Sequence, residues 1–193
     1  MKYNLLEFLN RSTDKTPELL EILKEFSLRD GIWLAGGAIR RQITDENVMG
    51  SDFDFFFRSQ GLLDEFHGFL SGSGYEKKYQ NEHNTTWLKG DIKVQTIHIS
   101  FYENPEILID SFDFTICQLA TDGESLFVGE YALWDIARKR LALHKLTYGV
   151  STIRRLIKYA RQGYTACPGT LAGILESAVN DPSVIQREVN YID

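Results

Sequence analysis

The sequence predicts an α+β domain, a strand-rich middle between helical ends. Three observations point to it. Short runs of apolar or alternating residues, broken by Gly, Asn and Asp, recur between residues 31 and 129. From Tyr131 onward the apolar spacing is helical. The first thirty residues also read as amphipathic helices, so strands crowd the middle and helices hold the ends, the α+β pattern. The 193 residues fit one domain, or one domain with a small helical appendage. With 43% apolar and 25% charged residues the composition is that of a globular protein able to bury a core.

In chain order, residues 3–10 and 17–29 are amphipathic and predict two helices. Thr16 is the expected N-cap of the second, with Pro17 at its first helical position. Gly31–Gly37, GIWLAGG, is a short apolar strand ending in a glycine turn, and Ala38–Thr44 a helix. Ser51–Phe57, SDFDFFF, predicts a strand and Gly61–Leu70 a helix. YEKKYQ, NTTWL and DIKVQTIHI follow as strands, the last two joined by a tight turn at Lys89-Gly90. SFDFTICQLA and SLFVG complete the strands, and Tyr131 begins the helical remainder. No repeat, low-complexity stretch or Pro/Gly-rich linker interrupts the chain.

Composition narrows the function classes. No apolar run approaches the roughly 20 residues of a membrane span, so no membrane partner is expected. The start, MKYNLLEFLNRSTDK, is too charged for a signal peptide. Cys117 and Cys167, fifty positions apart, make neither a disulfide framework nor a zinc site, and a reducing cytoplasm is the expected compartment. The net charge is −6, yet Arg138–Gln162 holds eight Lys or Arg and no acid. That block is a candidate anion-binding surface in an otherwise acidic protein, against the plainer reading of a solvated helix face. His67, His83, His98 and His144 show no metal-ligand spacing and are expected to be structural. Trp33, Trp87 and Trp134 are expected in the core. Cys117 falls on an expected strand with no evident base, so it is not expected to be a nucleophile.

The most informative stretch is SDFDFFF. Side chains alternate along a strand, so Phe53, Phe55 and Phe57 share the core face, and Asp52, Asp54 and Phe56 the other. The two carboxylates then stand about 7 Å apart at the backbone and repel unless a cation sits between them. A pair of Mg²⁺ ions about 3.5–4 Å apart would answer that need. Alone, Asp-x-Asp also reads as two solvated acids on an exposed strand face. Gly36-Gly37 shifts the balance: it follows a strand and opens a helix, so backbone N–H groups point out where a chain without side chains can approach a triphosphate. Arg40 and Arg41 lie on the first turns of that helix.

Taken together, LAGGAIRR and SDFDFFF resemble the nucleotidyltransferase superfamily related to DNA polymerase β, with bacterial-type poly(A) polymerases and CCA-adding tRNA nucleotidyltransferases as its nearest look-alikes. LIDSFDFTICQLATD, residues 108–122, resembles the family's Arg-Arg-Asp-Phe-Thr motif. STIRRLIKYARQGY, residues 151–164, resembles its arginine-rich neck helix. The resemblance spans about 33–164 and implies a five-stranded mixed sheet flanked by helices. On it, residues 1–130 form the catalytic domain with its N-terminal helices and 131–193 a neck-like helical segment. It also implies transfer of a nucleoside monophosphate from an NTP to an acceptor hydroxyl, with pyrophosphate leaving. By position, Gly36 and Gly37 would hold the triphosphate, Asp52 and Asp54 the Mg²⁺ or Mn²⁺ ions, and Asp113 the ribose. Arg40, Arg41, Arg154, Arg155 and Lys158 would be further nucleotide contacts. On the 151–162 helix, Arg154, Lys158 and Arg161 read as a phosphate-facing stripe, beside an expected buried stripe of Ile153, Leu156, Ile157 and Ala160.

Three departures from the family's pattern matter. The usual third carboxylate falls in IKVQTIHI, where this sequence has Gln95; Asp113, Asp91 or a metal-bound water would have to take its place. The two arginines before Asp113 are Ser111 and Phe112, and the asparagine after the threonine is Cys117. The base-reading motif of CCA-adding enzymes has no acidic counterpart in YGVSTIRR, and with 193 residues no body and tail domains of the kind that grip tRNA are expected. The expected reaction is therefore nucleotidyl transfer to an RNA 3′ end such as that of a tRNA. The alternatives are transfer to a protein or small-molecule hydroxyl, as in toxin and resistance enzymes, or a degenerate non-catalytic binder of nucleotide or RNA.

Overall fold

The computed structural model describes residues 1–10, 17–26 and 28–186. The chain divides into two compact units. Residues 1–110 and 118–129 form the first, 111–117 and the chain from Glu130 the second.

The first unit is built on a mixed sheet. Its strands are β1 (Lys2–Asn4), β2 (Ile32–Ala35), β3 (Phe53–Phe57), β4 (Glu76–Gln80), β5 (Asn84–Lys89), β6 (Ile92–Ile97), β7 (Leu119–Thr121) and β8 (Ser125–Val128). Their spatial order is β1-β8-β7-β2-β3-β6-β5-β4, with β3 and β6 parallel and the other pairs antiparallel. Among the described residues the sheet thus has eight strands where the family resemblance implies five. β2 is buried at all four positions, as a central strand must be. β4, exposed throughout and bearing Lys77 and Lys78, closes one edge with charges that discourage further pairing. Gly90, at φ +57°, makes the tight β5–β6 turn expected at Lys89-Gly90.

Alternation along β3 holds: Phe53, Phe55 and Phe57 are wholly buried, while Asp52 and Asp54 are half-buried. Helix α4 (Gln60–Gly72), capped by the Ser59 hydroxyl, turns Leu63, Phe66 and Leu70 inward at helical spacing. The Phe66 ring lies 4.9 Å from Phe55 and 5.4 Å from Phe57, and Phe26 lies 4.9 Å from Phe55. Such ring pairs add about 0.5–1.5 kcal/mol each beyond their buried area. This aromatic layer makes β3 a rigid platform.

Several elements differ from expectation. The 3–10 helix is split: β1 pairs with β8, and only Leu5–Leu9 (α1) is helical, capped by Asn4 Oδ1 accepting from Glu7 N at 2.9 Å. The next helix, α2, is Glu18–Leu23, shorter than 17–29, with Pro17 at its N-cap; Thr16 lies outside the described residues. Helix α3 is Gly37–Ile43, and α5 (Pro105–Asp110) is a further, unexpected helix. The run SFDFTICQLA is not one strand. Thr115 N donates to Ala142 O and Cys117 N to Phe114 O, so Thr115–Cys117 is a 3₁₀ turn and pairing resumes only at Leu119.

The second unit holds α6 (Ala132–Ala137), α7 (Gly149–Arg161), α8 (Pro168–Asn180) and α9 (Ser183–Gln186). Two two-residue strands, β9 (Arg140–Leu141) and β10 (Thr165–Ala166), pair in parallel between them. Asp135, fully buried, accepts from Thr115 Oγ1 at 2.6 Å and Arg140 Nε at 2.5 Å, tying the 3₁₀ turn to this unit. Trp33 and Trp87 are buried as expected, but Trp134 is 54% exposed. Among the described residues no helix is long and apolar enough to cross a membrane.

Candidate active site

The site is assembled on the face of β3 opposite the phenylalanines. Asp54 stands in register with Ala35 of β2 on one side and Gln95 of β6 on the other. Because β3 and β6 run parallel, the residue two before Gln95, Lys93, falls beside Asp52 on the same face. Asp52 Oδ2 accepts from Lys93 Nζ at 2.9 Å and from Gln95 Nε2 at 2.8 Å. Gln95 is buried, and its Oε1 accepts from the buried Asn84 Nδ2 at 3.5 Å. That second bond orients the amide with its NH₂ toward Asp52. The Asp52 and Lys93 side chains are each about a third exposed, so the pair is open to solvent on one side.

The turn between β2 and α3 supplies the other part. Gly36 has φ +82° and ψ −125°, a backbone that side chains rarely adopt, and its N–H donates to Leu119 O at 2.9 Å. Gly37 sits against Ser51: a Cβ at position 37 would fall 2.7 Å from Ser51 Oγ. Ser51 directly precedes Asp52, so this contact docks the start of α3 beside the carboxylate strand. The opening N–H groups of α3 have no partner within their own helix.

The donor set suits a hard divalent ion. Asp52 and Asp54 offer carboxylate oxygens, and Mg²⁺ is commonly held by one or two carboxylates together with substrate phosphates. The third position differs from a three-carboxylate site, being an amide with an ammonium next to it. Among the described residues no three His, Cys, Asp or Glu side chains are grouped to hold a metal ion.

The remaining candidates separate. Arg40 is only 3% exposed and belongs to the interior of the first unit, not to an open phosphate-facing surface. Arg41 Nη1 reaches Glu46 Oε2 at 3.5 Å and Asn47 O at 3.3 Å, bracing the loop before Asp52. Asp113, Arg154, Arg155 and Lys158 belong to the second unit. There Asp113, 8% exposed, accepts from Arg155 Nε at 2.6 Å and Thr152 Oγ1 at 3.0 Å. Its carbonyl accepts from His144 N at 2.7 Å. Asp113 and Arg155 are thus brought together, as an internal ion pair that anchors α7. Arg154, Lys158 and Arg161 are exposed on α7, but the stripe expected to be buried is not: Ile153 and Ile157 are exposed. The inward face is Gly149, Ser151, Thr152 and Tyr159, drawn in by the Asp113 bonds and by the Cys117 Sγ contact with Tyr159 OH at 3.0 Å. Cys117 is therefore buried in the second unit, on the 3₁₀ turn.

Sequence reasoning missed Lys93 and Ser51. Lys93 had a signal, since period two places it on the face of Gln95 once that position is recognised. Ser51 had none, because its role depends on the approach of α3.

Residues 1–139 match the family model described as Gabija anti-defense 2 family protein. A curated relative, Gabija anti-defense 2 of Bacillus phage SPbetaL7, is 29% identical over 151 residues, covering 77% of this chain and 36% of the relative. The chain therefore spans about a third of that relative's length. Among solved structures, the Thermotoga maritima CCA-adding enzyme complexed with tRNA has a TM-score of 0.67 at 17% identity, covering 98% of this chain and 48% of that one. A CCA-adding enzyme in complex with ATP has a TM-score of 0.65 at 16% identity, covering 97% and 48%. The chain has the nucleotidyltransferase fold of these enzymes and spans about half their length.

Proposed function

The chain belongs to the Gabija anti-defense 2 family, and from its site we propose a metal-dependent nucleotidyltransferase that moves a nucleoside monophosphate from an NTP to an acceptor hydroxyl. One observation carries this reading. A glycine turn leads from β2 into α3, and beside it Asp52 and Asp54 share one face of β3, in a fold like that of CCA-adding enzymes. In the reaction the acceptor oxygen bonds to the α-phosphorus, the bond from that phosphorus to the bridging oxygen breaks, pyrophosphate leaves, and the hydroxyl proton passes to solvent. When bound, a divalent ion offsets charge on the leaving pyrophosphate and favours the ionised acceptor hydroxyl. Asp52 and Asp54 would hold it, and Asp52 is kept in place by Lys93 and Gln95. The Gly36-Gly37 backbone would lie along the triphosphate, and the rigid β3 platform would fix the in-line geometry. Asp113, which the family resemblance would set against the ribose, is bonded to Arg155 within the second unit.

Two acceptors have separate support. An RNA 3′ end is favoured by the exposed cations Arg154, Lys158 and Arg161 on α7 and by the tRNA complex of a structural neighbour. A hydroxyl on a protein of the opposing defence system is favoured by the family's anti-defense description. The deciding experiment incubates the protein with Mg²⁺, each α-³²P-labelled NTP, and either total RNA or total protein of the host. Label in one pool identifies the acceptor class. No label in either, with NTP still bound, leaves a non-catalytic nucleotide binder.

A further inference from the structure

Resting on the RNA-acceptor reading, we propose that the outward face of α6, formed by Tyr131, Trp134 and Arg138, is a stacking platform for single-stranded RNA. Tyr131 and Arg138 are the caps of α6, and the three residues follow at steps of three and four, the spacing that lines up one side of a helix. Both rings are 54% exposed. Among the described residues from 111 to 149 they are the only large apolar side chains so exposed, and no large aliphatic side chain accompanies them. On α7 and α8 the exposed apolar groups are aliphatic, as at Ile153, Leu171 and Leu175. α6 thus offers flat rings where its neighbours in the chain offer branched ones.

Charge makes the occupant a polyanion. The Arg138 guanidinium carbon lies 3.3 Å from the centre of the Trp134 ring, held there by cation–π attraction, and Arg138 remains exposed. Lys139 follows at φ +52°, the left-handed conformation that glycine or asparagine usually takes just past a helix. A cation is kept there despite the strain, and its ammonium lies 5.3 Å from the centre of the Tyr164 ring. The block of eight Lys and Arg begins at Arg138. The nearest acids in sequence are Glu130, beside the Tyr131 hydroxyl, and Asp135, which is buried and bonded to Arg140. Rings that take base faces beside cations that take phosphates match a single strand, and such stacking tolerates any sequence. A duplex keeps its base faces inside its own stack, so the platform selects unpaired RNA.

The test is fluorescence titration of the whole chain, without NTP, against a short adenine oligoribonucleotide and against the same strand paired with its uridine complement. Trp33 and Trp87 are buried, so quenching of tryptophan emission by the single strand reports on Trp134, and the duplex should quench little. Trp134→Ala should weaken single-strand binding about tenfold, the scale of losing one stacked base. Its salt slope should match the wild type, because a ring releases no counterions. Trp134→Phe should recover most of the affinity. Arg138→Ala should weaken binding and flatten the slope by about 1. Lys139→Gly should weaken binding while the urea midpoint holds or rises. No quenching in the wild type, a duplex bound as tightly as the strand, or unchanged affinity in Trp134→Ala would each overturn the platform. A change of oligomeric state in Trp134→Ala with RNA binding unmoved would do the same and give the face to a second copy. The wild-type quenching decides even if a variant fails to fold. NMP label on protein alone, alongside the expected quenching, would instead remove the RNA-acceptor reading and leave the platform standing.

Discussion

Gly37 and Ser51 are packed so closely that a Cβ on the first would lie 2.7 Å from the hydroxyl oxygen of the second. The glycine thus has a packing reason as well as the backbone-approach reason evident in the sequence, and the two are separable. Gly37→Ala should cost about 1 kcal/mol through overpacking. Ser51→Ala introduced together with it should restore most of that loss, since the colliding oxygen is gone. If the Gly37 backbone also carries the triphosphate, NTP affinity should stay reduced in the double variant, because the added methyl remains on that turn. Urea midpoints and calorimetric NTP titrations on the wild type, the two single variants and the double variant check this. Restored affinity together with restored stability would make the turn purely structural.

Asp52→Asn and Asp54→Asn should each lower NMP transfer by two or more orders of magnitude, the scale of losing an electrostatic group that acts on the transition state. For Asp52→Asn stability should barely change. The Asp52–Lys93 pair is about a third exposed on both sides, and pairs so exposed contribute only about 0–1 kcal/mol. Transfer assays with thermal melts on the same preparations test the contrast. Near-normal transfer by either variant would remove the two-aspartate site.

Asp113 should behave in the opposite way. It is buried, and Arg155 and Thr152 both depend on it. Asp113→Ala removes the buried carboxylate to which Arg155 and Thr152 donate and should cost about 2–4 kcal/mol, toward the range for breaking a buried pair. Thr152→Val, which removes only one neutral donor, should cost about 1 kcal/mol. Denaturant unfolding measures both. Equal, small losses would show that the ion pair does not anchor α7.

How much of this was legible in the sequence depended on length and period. The Asp52/Asp54 face and the core set of Phe53, Phe55 and Phe57 follow from alternation over five consecutive residues. β1, of three residues, and β9 and β10, of two, are too short to show any period. The 111–120 run alternates like a strand, but the backbone of Thr115 is claimed by Ala142 across the chain, and tertiary pairing overrode the local pattern. On α7 the apolar pattern named the wrong inward face. An ion pair and two hydroxyl contacts turn Thr152 and Tyr159 inward and leave Ile153 and Ile157 outside.

Acidification should weaken the first unit through two histidines on the core side of the sheet. His67 Nε2 lies 2.7 Å from Thr96 Oγ1, and burial holds its pKa below the usual histidine range, with the charge on His98 adding to the effect. Burial likewise lowers His98, which contacts Thr85 Oγ1 at 3.4 Å. A folded-state pKa below the unfolded value means that the unfolded chain takes up protons first. The stability is therefore present above about pH 6.5, the unfolded histidine value, and is lost as pH falls below it. The urea midpoint should drop between pH 7.5 and 5.5, and His67→Gln should shrink that drop. A midpoint that rises on acidification would contradict the burial argument.

The exposed cations of α7 discriminate between the acceptors. Arg154, Lys158 and Arg161 lie on the outward side of the helix, while Arg155 is engaged with Asp113. If the acceptor is RNA, each phosphate they contact releases counterions, and log affinity should fall with log salt at a slope of about −0.7 to −0.9 per contact. Arg154→Ala with Lys158→Ala should weaken RNA binding and flatten that slope by about 1 to 2 units. The fold should be unaffected, since neither side chain is buried, and Asp113 keeps its own partner. If the acceptor is a protein or small-molecule hydroxyl, the same pair of changes should leave RNA binding unmoved and alter only NTP affinity or protein labelling. Filter binding of RNA across a salt series, run beside NTP titration, separates these results. Unaltered binding of both ligands would return the basic segment to the plainer role of a solvated face on an acidic protein.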